Sequence, residues 1–166
     1  MLKHLMSRFS RTLYVQIWPD KIQLLDLTSG DSFSDEPVLV VEQNNGKPLV
    51  TFGQAARLRA KPDSQVLSPF THPRTLLADF AAAEKLLQLL VKRISGNAWF
   101  TPPPFVIIHP MAKTEGGLTM IEARAFRELA LGAGAHDTLL YQGPPLSAEN
   151  FDLQALKQAN PDWRKV

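Results

Sequence analysis

Residues 105–109, Phe-Val-Ile-Ile-His, form a nearly continuous apolar run behind three prolines, Pro102, Pro103 and Pro104. A run of this kind reads as a strand buried on both faces. Such a strand needs one layer of structure above it and another below. That requirement points to an α/β chain, with a mixed sheet flanked by helices.

The neighbouring sequence contains material for those layers. Residues 79–94 carry Phe80, Ala83, Leu87, Leu90, Val91 and Ile94 at spacings of three and four, the stripe of an amphipathic helix. Gly96-Asn97 ends it, and the prolines force an extended link into the buried run. Downstream, Thr119 with Glu122 three residues later makes a capping box that opens a second helix. Ile121, Ala125, Leu129 and Ala130 are expected on its buried face, with Gly132 or Gly134 closing it. Thr138–Tyr141 then reads as another strand. Ahead of all this, residues 13–18 and 21–27 read as paired strands around Pro19-Asp20, with Leu13, Val15 and Ile17 alternating in the first. Residues 38–42 and 49–52 form a hairpin around Asn44-Asn45-Gly46. A short helix over 54–60, an irregular connection over 61–76 with a brief strand at Val66-Leu67, and a weak helix near 151–158 complete the reading.

Composition narrows function mainly by exclusion. The 166 residues fit one domain or two small lobes. Net charge is only +2, too little for a nucleic-acid binder unless it clusters, and it clusters only near the N-terminus. Cys is absent, which excludes disulfides and thiolate metal sites and suits a reducing cytoplasm. His4, His72, His109 and His136 lack ligand spacing, so no metal site is expected. No apolar run reaches the roughly 18 residues of a membrane span, and no secretory signal is present. In residues 1–12, Leu2, Leu5, Met6 and Phe9 recur at helical spacing, with Lys3, Arg8 and Arg11 elsewhere on the wheel. The stretch fits either an interfacial helix, touching a membrane through Leu2, Lys3, Leu5, Met6 and Phe9, or a helix packed on the domain.

Nothing in the chain assembles into a catalytic set. Asp35, Glu36, Asp79, Glu115 and Glu122 are not paired for acid–base work, and there is no nucleophile elbow. The Gly132-Ala133-Gly134 stretch follows a helix, which is the wrong end for a phosphate. The Lys113–Gly117 loop does precede a helix N-terminus, where an anion could sit.

Several ordered blocks resemble the N-terminal half of the MreB family, the bacterial actins of rod-shaped cells. "DEPVLVVEQ" (35–43) is similar to the family's Asn-Glu-Pro strand, and "VTFGQAA" (50–56) to its Val-Gly-x-x-Ala segment. "LLADFAAAEKLLQLLVKRI" (76–94) resembles its Ile-Ala-Asp-Phe helix, and "TPPPFVIIHP" (101–110) its following strand. The most specific block is "EARAFRELALGAGAHDTLLYQGPP" (122–145). The blocks are collinear over roughly residues 1–148. The resemblance implies an actin/Hsp70-like, ribonuclease H-like fold: a mixed sheet with flanking helices, half of an actin-like ATPase fold. It divides the chain into an amphipathic segment (1–12), a domain like subdomains IA and IB (13–148) and a tail (149–166).

Departures from the family pattern then set the functional expectation. The family's first hairpin carries Asp-Leu-Gly-Thr around the nucleotide phosphates; the matching positions here are Gln16, Ile17, Trp18 and Pro19. Gln cannot replace the acid that holds a metal's water shell. Trp18 blocks the close approach that glycine permits, and Pro19 removes an amide donor and a hydroxyl. The acid tied to hydrolysis aligns with Gln142 and Gly143, and the second phosphate loop lies beyond the region of resemblance. The resemblance thus implies no cofactor and a pseudo-ATPase: a non-catalytic partner of the cell-shape cytoskeleton. It is expected in the cytoplasm and peripheral on the inner membrane through residues 1–10. The expected partners are MreB or another cell-envelope protein, with self-association a further option and no nucleic acid. Trp18 is the candidate partner contact. The alternatives are an adaptor for another inner-membrane assembly, as the PilM-type actin relatives are for pili, and a weak nucleotide-binding actin-like protein.

Overall fold

The computed structural model describes residues 11–96, 102–149 and 151–163. The interfacial candidates Leu2, Lys3, Leu5, Met6 and Phe9 lie outside the described residues. A five-stranded mixed sheet forms the centre, in the order β3-β2-β1-β7-β8. Its strands are β1 (Thr12–Ile17), β2 (Ile22–Asp26), β3 (Ser32–Asp35), β7 (Phe105–Pro110) and β8 (Asp137–Leu140). β1, β2 and β3 form an antiparallel meander, whereas β7 and β8 run parallel to β1. A second sheet, in the order β5-β4-β6, contains β4 (Leu39–Asn44), β5 (Lys47–Phe52) and β6 (Gln65–Leu67).

The buried run at 105–109 occupies the position its composition demands. β7 lies between β1 and β8, and all six of its residues are buried. On one face, Leu13, Val15, Ile17, Val106 and Ile108 pack under α2 (Phe80–Ser95) and α3 (Met120–Gly132). The opposite face presents Tyr14, Leu27, Phe105, Ile107 and Leu139. This second face is covered by Leu146, Phe151 and Trp163, together with Leu153 and Leu156 of α4 (Leu153–Ala159). The tail is therefore a working layer of the fold. Lys157 stands over the rings of Phe105 and Trp163, at 4.1 and 4.8 Å, and fixes its far end.

Local chemistry sets most element boundaries. Asp79 caps α2 by accepting from Ala82 N–H, at 3.0 Å. In the capping box of α3, Thr119 Oγ1 accepts from Glu122 N–H, at 3.2 Å. Glu122 Oε2 in return accepts from Thr119 N–H, at 2.9 Å. The β4–β5 hairpin turns on Asn45 and Gly46, with φ of 52° and 76°, the left-handed pair of a two-residue loop. Asp26 ends β2 almost fully buried; its Oδ1 accepts from Thr28 and Ser29 N–H, and Arg11 lies 3.5 Å from Oδ2.

Two expectations from the sequence are corrected here. β3 was not foreseen: Ser-Phe-Ser-Asp is a short polar edge strand with one apolar residue, so it lacks an alternating signal. The buried face of α3 is Ala123, Phe126, Leu129 and Ala130, and Ile121 is 82% exposed. Phe126 is the bulkiest apolar group on that helix. Seating it in the core fixes the helical phase and turns Ile121 outward.

Candidate functional site

In a sheet with parallel strands, ligands tend to collect beyond the carboxyl ends of those strands. Here β1, β7 and β8 all end on the same edge. Gln16 pairs with His109 and Ile17 with Pro110 across β1 and β7. Met111 N–H then donates to Ile17 O, at 2.8 Å, and Tyr141 N–H to Ile108 O, at 2.9 Å. The predicted positions Gln16–Pro19 and Gln142-Gly143 are thus brought to one end of the sheet, although 126 residues separate Gln16 from Gln142 in the chain.

The turn after β1 is closed on itself. Trp18 N–H donates to Lys21 O, at 2.8 Å, and the Lys21 ammonium stands 4.8 Å from the centroid of the half-buried Trp18 ring. Pro19 O accepts from Thr71 Oγ1, at 3.4 Å, which ties the turn to the connection before α2. Gln16 is buried, and its amide lies 3.7 Å from Met111 Sδ.

Beside the turn is an open cleft of about 350 Å³, lined by His109, Pro110, Thr114, Gly117, Gln142 and Gly143. Trp18 is not among the lining residues. A cluster that the sequence reading did not assemble stands behind this wall. Tyr14, fully buried on β1, sets its hydroxyl 2.6 Å from His109 Nδ1. Leu146 N–H donates to the same hydroxyl, at 3.4 Å. Tyr141 meets the His109 ring edge-on, with centroids 5.0 Å apart, and donates its own hydroxyl to Pro144 O, at 3.0 Å. Burial pushes the Tyr14 phenol above its ordinary value and holds the His109 imidazolium form below its own. His109 is therefore neutral at neutral pH. The signal available in the sequence was a histidine at the end of an otherwise apolar strand. Its partner lies 95 residues away, so only the β1–β7 register reveals the pair.

The Lys113–Gly117 loop is a weaker anion site than its position suggested. The first turn of α3 is already occupied by its own cap, and Glu122 supplies the negative charge there. Thr119 backbone and side-chain donors, with Thr75 assisting, hold the Glu122 carboxyl below the usual carboxylate range. An incoming anion would meet that carboxylate. Among the described residues, no group of three or more His, Cys, Asp or Glu could hold a metal ion. Nor is any described helix long and apolar enough to cross a membrane. A second depression of similar volume, lined by Phe52, Leu89, Lys92, Arg93 and Gly96, lies between β5 and α2.

An antiparallel meander joined to two parallel strands, with helices on the sheet, is part of an actin-like fold. MreB5 of Spiroplasma citri bound to ADP superposes with a TM-score of 0.61 at 15% identity, over 80% of this chain and 38% of that one. A non-polymerising MamK mutant bound to AMPPNP gives 0.62 at 15% identity, over 79% and 40%. The sequence relatives are cell shape-determining proteins. MreB of Escherichia coli K12 is 26% identical over 152 residues, covering 89% of this chain and 43% of MreB. Mbl of Bacillus cereus is 20% identical over 140 residues, covering 84% and 40%. No protein-family model matches the chain. The chain is a distant homologue of MreB and Mbl and corresponds to about half of an actin-like protein. It spans less than half the length of the curated relatives it matches.

Proposed function

We propose that this protein is a non-catalytic, pseudo-ATPase relative of MreB that binds and modulates the bacterial cell-shape cytoskeleton. The observation that carries the reading is the turn after β1. Where the family has Asp-Leu-Gly-Thr, this chain has Gln16, Ile17, Trp18 and Pro19. The backbone amide of Trp18 is spent on Lys21 O, and Pro19 has no amide to offer. Gln142 and Gly143 stand where the family carries the acid tied to hydrolysis, and the Glu122 carboxylate closes the nearest helix N-terminus. Each feature weakens phosphate binding while leaving the sheet and its helices intact. What such a domain keeps is surface.

In this reading the protein works in the cytoplasm, with residues 1–10 resting on the inner membrane. Two helical residues at the mouth of the loop after β7, Met120 and Ile121, are 85% and 82% exposed and extend the surface open to a partner. Co-sedimentation with polymerised MreB tests the proposal. The protein is expected in the pellet with the filaments, and its remaining in the supernatant at high micromolar concentration would overturn the reading. Calorimetric titration with Mg-ATP is expected to give no saturable heat; a saturable isotherm would restore the nucleotide-binding alternative.

A further inference from the structure

We infer that the cleft at the ends of β7 and β8 is a binding site for an uncharged amide group, received by His109, Thr114 and Gln142.

The argument begins with a proton count. The Tyr14 hydroxyl is fully buried and already accepts from Leu146 N–H, at 3.4 Å, and a buried O–H proton left without an acceptor is costly. The acceptor within reach is His109 Nδ1, at 2.6 Å. An Nδ1 that accepts leaves the imidazole proton on Nε2. Nε2 has no hydrogen-bond partner among the described residues, yet it is not among the buried orphan atoms. It therefore keeps access to solvent, although His109 as a whole is only 5% exposed and lines the cleft. The result is a nearly buried N–H donor with its orientation fixed from behind by Tyr14 and its flank held by Tyr141.

The chemistry of the lining selects the ligand. No Lys, Arg, Asp or Glu contributes to it. A phosphate would enter without a countercharge, so an anion is disfavoured. The polar side chains that remain are one fixed donor, His109, and two groups that both donate and accept, Thr114 and Gln142. An amide is their complement: its carbonyl takes the His109 proton, and its N–H is accepted by the Gln142 carbonyl or the Thr114 hydroxyl. Such a group occurs on free small amides, on Asn and Gln side chains, and on exposed polypeptide backbone. The inference does not depend on MreB being the partner, so the outcomes of the co-sedimentation experiment leave it standing or falling on its own test.

The test follows the four histidine side chains by nitrogen-detected NMR on the full chain. N-methylacetamide, acetate and inorganic phosphate are titrated in turn to about 100 mM, the range in which a single weak hydrogen-bonded group is detected. The His109 Nε2 resonance is expected to shift saturably with N-methylacetamide and several-fold less with acetate or phosphate. Thr114→Val and Gln142→Leu, both remote from the core, should each weaken the amide response at least about threefold. A capped Gln dipeptide binding more tightly than N-methylacetamide assigns the site to polypeptide. Equal or weaker binding of the dipeptide assigns it to free small amides. A flat amide titration, an equal or larger response to phosphate, or unchanged affinity in both variants would overturn the inference.

Discussion

Two buried side chains on neighbouring strands, Tyr14 and His109, share a hydrogen bond that links the core to the cleft. Removing one partner strands the other. Tyr14→Phe leaves both His109 Nδ1 and the Leu146 amide unsatisfied, and is expected to cost about 1–3 kcal/mol by chemical denaturation. The pH dependence follows from the same pair. The folded-state pKa of His109 lies below its ordinary value of 6.5 because burial penalises the imidazolium. Below that value the unfolded chain binds a proton that the folded chain resists. The His109 contribution is thus fully present above about pH 6.5 and is lost as pH falls toward the folded-state value. Urea titrations at several pH values should show wild-type stability declining through this window, and His109→Gln should decline less.

At the level of strands and helices, two positions carry opposite expectations. Gly53 opens α1 (Gly53–Arg59) with φ of +87°, and a Cβ there would lie 2.0 Å from Asp35 Oδ2. Asp35 Oδ1 accepts from the N–H groups of both Glu36 and Gln54, so its carboxylate is not free to swing away. Gly53→Ala should therefore destabilise by about 1–3 kcal/mol, visible as a lower thermal midpoint. Thr138 on β8 is the reverse case. Its hydroxyl is fully buried and has no hydrogen-bond partner among the described residues. Thr138→Val keeps the β-branched shape that suits a strand and removes the orphaned group. It is expected to raise stability by about 1 kcal/mol in the same assay.

Over the molecule as a whole, the central sheet is closed by unequal layers. Two helices of 16 and 13 residues cover one face. On the other, a seven-residue helix with no fully buried residue does the work together with Phe151 and Trp163. A helix that short has little stability alone, so it holds only by its contacts with the sheet. Truncating the chain after Leu146 should uncover Phe105, Ile107 and Leu139. The expected readouts are increased binding of a hydrophobic dye and concentration-dependent aggregation in light scattering. An unchanged dye signal would mean that this face does not depend on the tail.

Much of the architecture is legible in local chemistry. The prolines and the apolar run mark β7, the 79–94 stripe marks α2, Thr119 and Glu122 mark the start of α3, and Asn45-Gly46 marks a hairpin. Each signal lies within a few residues of what it specifies, because hydrogen bonding and helical periodicity are short-ranged. The turn after β1, around Trp18 and Pro19, belongs to the same class. The sheet register, by contrast, is a long-range property. It alone places Tyr14 against His109, brings Gln142 to the same edge, and rotates α3 so that Phe126 is buried and Ile121 is not. Those pairings rest on which strands share hydrogen bonds, and no local window of sequence contains both partners. The residues of the turn after β1 were therefore written in the chain, while the hydrogen-bonding cleft near them, lined by no charged side chain, was decided by the tertiary fold.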